Sequence, residues 1–502
     1  MEKIITDVLI IGAGAAGIRA ALAASEEDVD VFLVAKGRIT GSGSTFSPIS
    51  KGWGIQALVG SERTDKNLKN FYDDIIRVSL GQCDPKLVRI LVEESGDRFE
   101  DLIQYGIRFR KDAQGDYIRS KGCFSNEERA FLTEHLTNIQ SSFLSMLQRT
   151  SVKVVSADVL DLITADGKCW GAWALTADGE VLAIHAKATI LATGGGAGIF
   201  IDHLVSSGET GDGYALAHRA GAALNNMEFI QFMLGLKKEK ERLFLPLSDL
   251  HKPGVLVDSQ GFDLLEKHIA DPLLKHKIIE ERKKHFPFSC CDSSYLVDLA
   301  IAKERRNHGK IFWENGSNPE QRPEVMHFAH AFNGGLKINE MAESTVPGLF
   351  AAGETAAGPH GADRIGGCMM TATQVFGQRA GYFSAIRAKD ISILPIKIEI
   401  PEHIEKLVHR KGSQLNDPAL FEIVKLAKEK LSRELMIVRE ENGLSECLAS
   451  IESLIFTLKE IEVKNNQLFF ELRNILLVGK LIALNAMRRD KSLGSHYFND
   501  FK

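Results

Sequence analysis

The amino-acid sequence predicts an α/β protein with a discontinuous first domain, an inserted α+β segment and a helical region after it. Three observations lead to this fold class. The first 35 residues read as strand, glycine turn, helix and strand. A similar alternation of apolar residues and glycines returns after Val346, and from about residue 401 three amphipathic segments are separated by polar turns. A chain of 502 residues is also long enough for two or three domains.

The opening stretch is the most informative local pattern. ITDVLIIG predicts a buried strand, GAGAAG a turn, IRAALAAS a helix and VDVFLVAK a second strand, which together form the βαβ unit of a dinucleotide-binding fold. In that unit Gly12 permits the tight turn, Gly14 lets the backbone approach a pyrophosphate, and Gly17 lets the helix pack on the strand. The pyrophosphate would lie at the helix N-terminus, where free N–H groups favour anions. The acidic residue expected near position 35 for a ribose hydroxyl is replaced by Ala35 and Lys36, so the ribose must bind other groups.

The middle of the chain changes character twice. Residues 64 to 150 carry a helical pattern, with Asp84 as a helix cap and Pro85 as the first helical residue. Strand-like runs follow in VKVVSADVLDLI, CWGAWALT and KATILATGGG. Residues 234 to 340 are mixed and contain basic clusters such as KKEKER, which we interpret as solvated faces. This stretch is the predicted insertion.

Composition excludes several classes of protein. The formal net charge is -5 and no long basic run occurs, so a nucleic-acid partner is not expected. No run of about 18 apolar residues predicts a membrane span, and the first residues do not resemble a secretory leader, so we expect a cytoplasmic protein. The seven cysteines show no C-x-x-C spacing, and their number is odd. We therefore expect neither a disulfide framework nor a zinc or iron–sulfur site, and assign no metal ligand.

Five stretches, in the same order along the chain, resemble one family of flavoproteins. They are GAGAAG, VAKGRITGSGSTF, LATGGGAG with GETGDGYALAHRAGAALNNMEFIQF, HAFNGG through VPGLFAAGETAAGPHGADRIGG, and ELRNILLVGKLIALNAMRRDKSLGSHYFNDF. The family includes L-aspartate oxidase and the flavin subunits of fumarate reductase and succinate dehydrogenase. Within it, L-aspartate oxidase looks closest, because GRITGSGST resembles its segment after the second strand.

The resemblance implies FAD, rather than a nicotinamide, as the dinucleotide. It also implies a Rossmann-like FAD-binding domain at residues 1–233, completed at 341–392. An α+β capping domain would occupy residues 234–340, and a C-terminal helical domain residues 393–502.

The residues expected to bind FAD lie in the matching motifs. They are Gly12, Gly14, Ala15, Ala16, Gly17, Ala35, Lys36, Ser42, Gly43, Ser44, Thr45, Gly54, Ala192, Thr193, Gly194, Asp212, Glu354, Cys368, Met369 and Met370. In the membrane-bound relatives a histidine precedes the threonine of the second motif and bonds covalently to the flavin. Ser44 stands in that place here, so we expect FAD to be held non-covalently.

The resemblance also assigns substrate contacts. Arg364 matches the arginine that holds a substrate carboxylate, a task that suits the planar, bidentate guanidinium. The alternative is an arginine paired to the FAD diphosphate or to Asp363, which replaces the usual asparagine. His330 precedes Gly334 at the spacing of the family's substrate-binding histidine, and His327 competes for the same alignment.

Three departures from the family's pattern concern the substrate. Met233 replaces a substrate histidine, Ser294 stands where the proton-relay arginine is expected, and Ser120 or Lys121 replaces a glutamate of L-aspartate oxidases. Reduction of an activated alkene needs a proton donor, which typically contributes about 10² to 10⁴ in rate. Losing the arginine therefore argues against fumarate reduction.

Tyr295 or His251 could supply that proton instead, although no motif assigns either residue.

The sequence leaves four functions open. The first is an FAD-dependent oxidoreductase acting on a small carboxylate-bearing or otherwise anionic substrate that differs from succinate. The second is L-aspartate oxidase proper, which makes iminoaspartate for NAD synthesis. The third is a flavin subunit that passes electrons to a separate iron–sulfur or ferredoxin-like partner. The fourth is a catalytically silent FAD-binding scaffold.

Overall fold

The fold is taken from a computed structural model. It describes residues 1–47, 52–239, 241–245, 247–252, 254–307, 309–314, 322–392, 400–408, 416–461 and 463–499. Parts of the predicted C-terminal domain, at 393–399, 409–415, 462 and 500–502, lie outside the described residues.

Strands and helices alternate along most of the described chain. The strands are β1 Glu2–Ile11, β2 Val31–Ala35, β3 Gly54–Gln56, β4 Arg119–Lys121, β5 Glu128–Leu132, β6 Lys153–Ala165, β7 Lys168–Thr176, β8 Val181–Leu191, β9 Leu224–Asn225, β10 Ile230–Lys238, β11 Glu241–Phe244, β12 Leu256–Asp258, β13 Ile311–Trp313, β14 Glu324–Phe332, β15 Gly335–Lys337, β16 Leu349–Ala351, β17 Ala356–Ala357, β18 Val438–Arg439 and β19 Tyr497–Phe498. The helices are α1 Ala15–Ser25, α2 Asp65–Ser79, α3 Pro85–Gln104, α4 Leu136–Gln148, α5 Asp212–Arg219, α6 Leu264–His268, α7 Pro272–Arg282, α8 Tyr295–Arg306, α9 Cys368–Asp390, α10 Glu402–Val408, α11 Pro418–Leu435, α12 Glu441–Glu460 and α13 Asn466–Arg488.

The first domain is built on a parallel sheet. β1 pairs in parallel with β2 on one side and with β8 on the other, and β2 pairs with the start of β6. β16, from far along the chain, completes the sheet beside β8. The far end of β6, the whole of β7 and the start of β8 pair antiparallel. The predicted βαβ opening is present, and α1 packs against α9.

A second, antiparallel sheet forms the inserted unit, in the order β11-β10-β14-β13-β12. We call this sheet with α6, α7 and α8 the cap. Its apolar core is separate from that of the first domain and includes Leu234, Leu256, Ile301 and Trp313. The α/β class and the inserted α+β cap are as the sequence predicts. The exact domain boundaries stay a prediction.

The helical stretch before residue 150 differs from the simple pattern in one respect. Asp84 does cap α3, where it accepts from the backbone N–H of Lys86 at 2.9 Å, and Pro85 is the first helical residue. Between α3 and α4, however, β4 and β5 pair with β3 in a small sheet. Helical periodicity does not report such short strands, because a strand of three to five residues gives too few positions to show alternation.

The last described segment ties three parts of the molecule together. Ser495 donates from its backbone N–H and its hydroxyl to the carbonyl of Ala362 in the first domain. The backbone N–H of Cys290, in the cap, donates to the carbonyl of Gly494 at 2.8 Å. Fully buried Arg439, just after α11, donates to His496 Nδ1 at 2.7 Å. We refer to residues 492–499 as the tail.

In the described part of the chain, none of the helices combines the length and the apolar character needed to cross a membrane.

Candidate active site

A cavity of about 850 Å³ opens at the carboxyl ends of β1, β2 and β8. In open α/β sheets this edge is where ligands bind, and the volume is in the upper part of the range for small-molecule and cofactor sites. Of the residues predicted to bind cofactor or substrate, all line this cavity except Gly17 and Cys368. Gly17 and Cys368 are both buried, and Cys368 is only 1% exposed.

The glycine turn after β1 shapes one wall. Gly12 has a φ of +110°, and an added Cβ would lie 2.2 Å from the carbonyl oxygen of Ala192. Gly14 begins α1 without a side-chain cap, and its Cβ would meet no neighbour nearer than 3.7 Å. The helix N-terminus therefore faces open space with backbone N–H groups, as a diphosphate requires. Gly17 allows contact with the turn itself, since a Cβ there would lie 1.8 Å from Gly12 O.

Acidic groups at the end of β2 come from other elements. Lys36 Nζ lies 3.1 Å from Asp212 Oδ2 and 2.6 Å from Glu471 Oε2. Burial alone would lower the pKa of Lys36, but these two carboxylates raise it, so the lysine stays charged. Asp158 also lines this end, and burial raises its pKa to about 6. The structure thus places three carboxylates beside Ala35, where the sequence lacks the expected acid.

Two buried carboxyl groups lie in the middle of the cavity wall. Ser44 Oγ donates to both carboxylate oxygens of Glu209, at 2.9 and 3.0 Å. Glu354 Oε1 accepts from the backbone N–H of Phe332 at 2.8 Å. Burial raises the pKa of Glu209 to about 7, and burial together with Glu209 raises the pKa of Glu354 to about 8. At neutral pH the pair therefore carries less than its full negative charge.

Arg364 lies at the opposite end from the carboxylate cluster around Lys36. Its Nη2 donates to Gln231 Oε1 at 2.5 Å, and its Nε has no hydrogen-bond partner among the described residues. Neighbouring Asp363 points elsewhere, since its Oδ2 accepts from Ser289 Oγ at 2.5 Å. No described carboxylate lies within ion-pair distance of Arg364, so the guanidinium is available to an anion in the cavity. Burial lowers the pKa of Arg364, but a guanidinium remains charged at physiological pH.

Two histidines accompany this arginine. His330 lines the cavity, and its Nδ1 has no partner in the described structure. Burial and the Arg364 cation lower the pKa of His330 to about 4, so the imidazole is neutral and can donate or accept one hydrogen bond. His360 is 3% exposed, with an unpaired Nε2 within the described residues, and Arg364 also lowers its pKa.

His327 is held elsewhere, which separates it from the cavity. Its Nε2 lies 2.8 Å from Asp298 Oδ1, in a buried network that includes Arg282. Burial lowers the pKa of His327 despite the nearby carboxylate. Of the two histidines that compete in the sequence alignment, His330 is the one that lines the cavity.

The substituted positions are distributed unevenly. Met233 lines the cavity, together with Phe244, Phe286, Met369 and Met370, so this end has a largely apolar wall.

Ser294 is fully buried at the start of α8, and its Oγ lies 3.3 Å from His285 Nε2. Ser120 and Lys121 lie on β4 and are not among the cavity-lining residues.

The two residues suggested as replacement proton donors also lie outside the lining set. The ring of Tyr295 lies 5.9 Å from that of Tyr497. His251 is exposed, and its Nδ1 contacts Ser248 O. Neither reaches the cavity in this structure.

Sequence reasoning missed several cavity groups. Gln231 and His360 stand inside the quoted motifs, and the histidine directly opens HGADR, so their position was a usable signal. Glu209, Asp158 and Glu471 carry no such signal, because only the tertiary fold brings them to the cavity.

Comparisons with known proteins agree with this geometry. Residues 7–370 match the family described as FAD binding domain, and residues 427–502 match fumarate reductase flavoprotein C-term. A subunit of the fumarate reductase (CoM/CoB) of Methanothermobacter marburgensis is 30% identical over 533 residues, which cover 99% of this chain and 94% of that protein. L-aspartate oxidase of Streptomyces coelicolor is 27% identical over 537 residues, covering 99% and 89%. The first of these two is thus the more similar, whereas the sequence pattern favoured L-aspartate oxidase.

A solved structure shows the same fold. FrdA of the E. coli quinol fumarate reductase aligns with a TM-score of 0.79 at 20% identity, covering 100% of this chain and 92% of that chain. The cavity at the sheet edge, the open helix N-terminus and the family match all fit FAD. The chain therefore belongs to the family of FAD-dependent oxidoreductases that includes the fumarate reductase flavoproteins and the L-aspartate oxidases.

Proposed function

We propose that the protein oxidises or reduces a small carboxylate-bearing or otherwise anionic substrate by hydride transfer to or from flavin N5. One observation carries this proposal: Arg364 is buried in the cavity wall, has an unpaired Nε and lacks a carboxylate partner among the described residues. An unpaired buried cation is costly, so its retention suits a site that binds an anion.

The chain's own residues would hold FAD along the length of the cavity. The glycine turn and the N-terminus of α1 would hold the diphosphate, and the carboxylates beside Lys36 would accept from the ribose hydroxyls. Glu209, Ser44 and Glu354 would lie between these groups and the substrate end. Bound FAD supplies the two-electron acceptor or donor for the hydride.

We further propose that FAD is bound non-covalently, because Ser44 offers no imidazole at the attachment position and instead donates to Glu209. Acid precipitation should release the flavin into the supernatant. Flavin that stays with the denatured pellet would contradict this proposal.

At the substrate end the residues divide the work of binding. Gln231 fixes one nitrogen of the guanidinium, so that the remaining N–H groups of Arg364 can face a carboxylate. Neutral His330 can donate a hydrogen bond to a second acceptor on the substrate. The apolar wall of Met233, Phe244 and Phe286 favours a substrate with a less polar remainder than a dicarboxylate.

Canonical fumarate reduction is not part of the proposal. Ser294 stands where the family's proton-relay arginine is expected, and the described structure brings neither Tyr295 nor His251 into the cavity wall. Protonation of the second alkene carbon would lack an evident donor.

The test is anaerobic flavin bleaching. Purified holoprotein is mixed with L-aspartate, succinate and a panel of monocarboxylic amino and hydroxy acids, and the oxidised flavin absorbance is followed. We expect bleaching by a monocarboxylate with an apolar side chain. Bleaching by L-aspartate would instead favour L-aspartate oxidase activity, and no bleaching by any member would favour a silent scaffold.

A second candidate function is that of a flavin subunit with a separate electron-transfer partner. The relative from Methanothermobacter is named as one subunit of its fumarate reductase, which favours an assembly with other chains. The seven cysteines lack iron–sulfur spacing, so any cluster must come from the partner. Fast reoxidation of the bleached flavin by a ferredoxin, with slow reoxidation by oxygen, is the expected result, and the reverse order would oppose this role.

A further inference from the structure

A compact cluster of nitrogen, sulfur and oxygen ligands lies in the cap, outside the proposed active site. Potential ligand atoms of His285, Cys291 and Asp292 all lie within 4.8 Å of one another. The spacing of these residues in sequence matches no common zinc motif, so only the fold reveals it. None of the three lines the cavity, although neighbouring Phe286 does.

The hydrogen bonds of His285 fix its tautomer. Its Nδ1 lies 2.6 Å from the carbonyl oxygen of Pro287. A carbonyl can only accept, so Nδ1 carries the hydrogen and the neutral ring presents a lone pair at Nε2. A backbone carbonyl on the second ring nitrogen is the usual outer partner of a metal-bound histidine. The ring is also held by Phe124, stacked at 4.7 Å between centroids, and is 3% exposed.

The lone pair of His285 faces another acceptor. Asp292 Oδ2 lies 3.3 Å from Nε2, while Asp292 Oδ1 accepts from the backbone N–H of Ser294. Two acceptors at this distance need a proton or a cation between them. Ligands roughly 2.1 Å from a tetrahedral ion lie about 3.4 Å apart, close to the spacing observed.

The third corner distinguishes a metal from a proton. A histidine–aspartate ion pair has no use for sulfur, yet the Cys291 thiol belongs to the same cluster. Cys291 is exposed, which provides an entry path from solvent. Its backbone N–H donates to Ser289 Oγ at 3.1 Å, which restrains the position of the residue. Imidazole, thiolate and carboxylate together are the donor set of zinc.

We propose that His285, Cys291 and Asp292 bind a zinc-type divalent cation, with a water molecule or the hydroxyl of Ser294 at the fourth position. The ion would fix the loop between α7 and α8. Because that loop carries Phe286 in the cavity wall, the site would hold one side of the substrate end in place.

The test compares metal content in FAD-loaded wild-type protein and three variants. Cys291→Ser removes the sulfur, and Asp292→Asn removes the carboxylate while keeping an oxygen for the N–H of Ser294. Cys290→Ser is the matched control, because the neighbouring thiol contacts His496 O and is not part of the cluster. FAD absorbance reports folding, and each protein is dialysed against zinc and then against cobalt.

We expect about one zinc per chain in the wild type and in Cys290→Ser, and a thiolate-to-cobalt charge-transfer band in both. In Cys291→Ser and Asp292→Asn the affinity should fall by more than the roughly 10- to 100-fold that loss of an outer-shell partner costs. Unsaturable zinc uptake by the wild type would overturn the proposal. Equal affinity in Cys290→Ser and Cys291→Ser would do so as well, and would leave an ion pair between His285 and Asp292.

Discussion

At the scale of single residues, Arg364 illustrates how a motif acquires meaning from its surroundings. The sequence indicates an arginine able to bind a carboxylate, but leaves Asp363 as a competing partner. The structure turns Asp363 toward Ser289 and supplies Gln231 instead. A neutral partner orients the guanidinium without neutralising it, which keeps its charge for a ligand.

Replacing Arg364 by lysine should test this role. Arg364→Lys keeps the positive charge but loses the planar fork, so we expect the second-order rate constant of flavin bleaching to fall by roughly 10- to 100-fold. FAD content should stay the same. Arg488→Lys, on the exposed side of α13, serves as the control and should behave like the wild type. Equal rates in both variants would remove Arg364 from substrate binding.

Glu209 should make the stability of the apoprotein depend on pH. Its folded pKa of about 7 lies above the ordinary value of 4.5, so its protonated form stabilises the fold. That contribution is complete below about pH 4.5 and is lost as the pH rises through about 7. Glu209→Gln keeps an acceptor for Ser44 and should flatten this part of the curve, by roughly 1 to 3 kcal/mol. The melting temperature of both apoproteins, measured from pH 4.5 to 8, checks it, and parallel curves would contradict it.

At the scale of elements, local patterns predicted what local chemistry controls. The β1–α1–β2 unit, the capping of α3 by Asp84 and the glycine turn all depend on residues close in sequence, and the structure contains each of them. The groups beside Lys36 could not be predicted, because Asp158, Asp212 and Glu471 come from three elements that meet only in the folded chain. The same reason hid the cluster around His285.

The turn after β1 offers an element-scale prediction. Gly12→Ala places a Cβ at a φ of +110° and 2.2 Å from Ala192 O, so β1 and β8 must separate where the diphosphate would bind. We expect loss of FAD from the purified protein and a melting temperature lower by many degrees. Gly179→Ala is the control, since its φ is also positive, at +87°, but nothing lies within 4 Å. It should cost about 1 to 2 kcal/mol and retain FAD. Similar FAD content in both variants would argue against a close-packed turn.

At the scale of the whole molecule, the tail joins the first domain, the cap and the C-terminal helices. Arg439 is the centre of this junction, because its side chain donates to Leu435 O, Glu228 O and His496 Nδ1 while fully buried. Removing it leaves these acceptors unpaired in a region closed to water.

Arg439→Met should therefore weaken the assembly as a whole. We expect a loss of several kcal/mol of stability, on the order of 3 kcal/mol, and faster proteolysis of the cap. Arg433→Met, at an exposed position on α11, is the matched control and should stay within about 0.5 kcal/mol of the wild type. Melting curves followed by flavin fluorescence distinguish the two, and indistinguishable curves would show that the tail does not depend on this cation.

The position of β16 in the first sheet also has a consequence for how the molecule is made. β1 and β8 can pair early, but the strand that completes their sheet, and α9 that packs on α1, are synthesised only after the whole cap. At ribosomal rates this interval is on the order of tens of seconds, during which the apolar face of α1 lacks its final neighbour. The nascent chain must therefore wait with an open sheet edge, and we expect it to depend on chaperones during that interval and to capture its cofactor only as a late step.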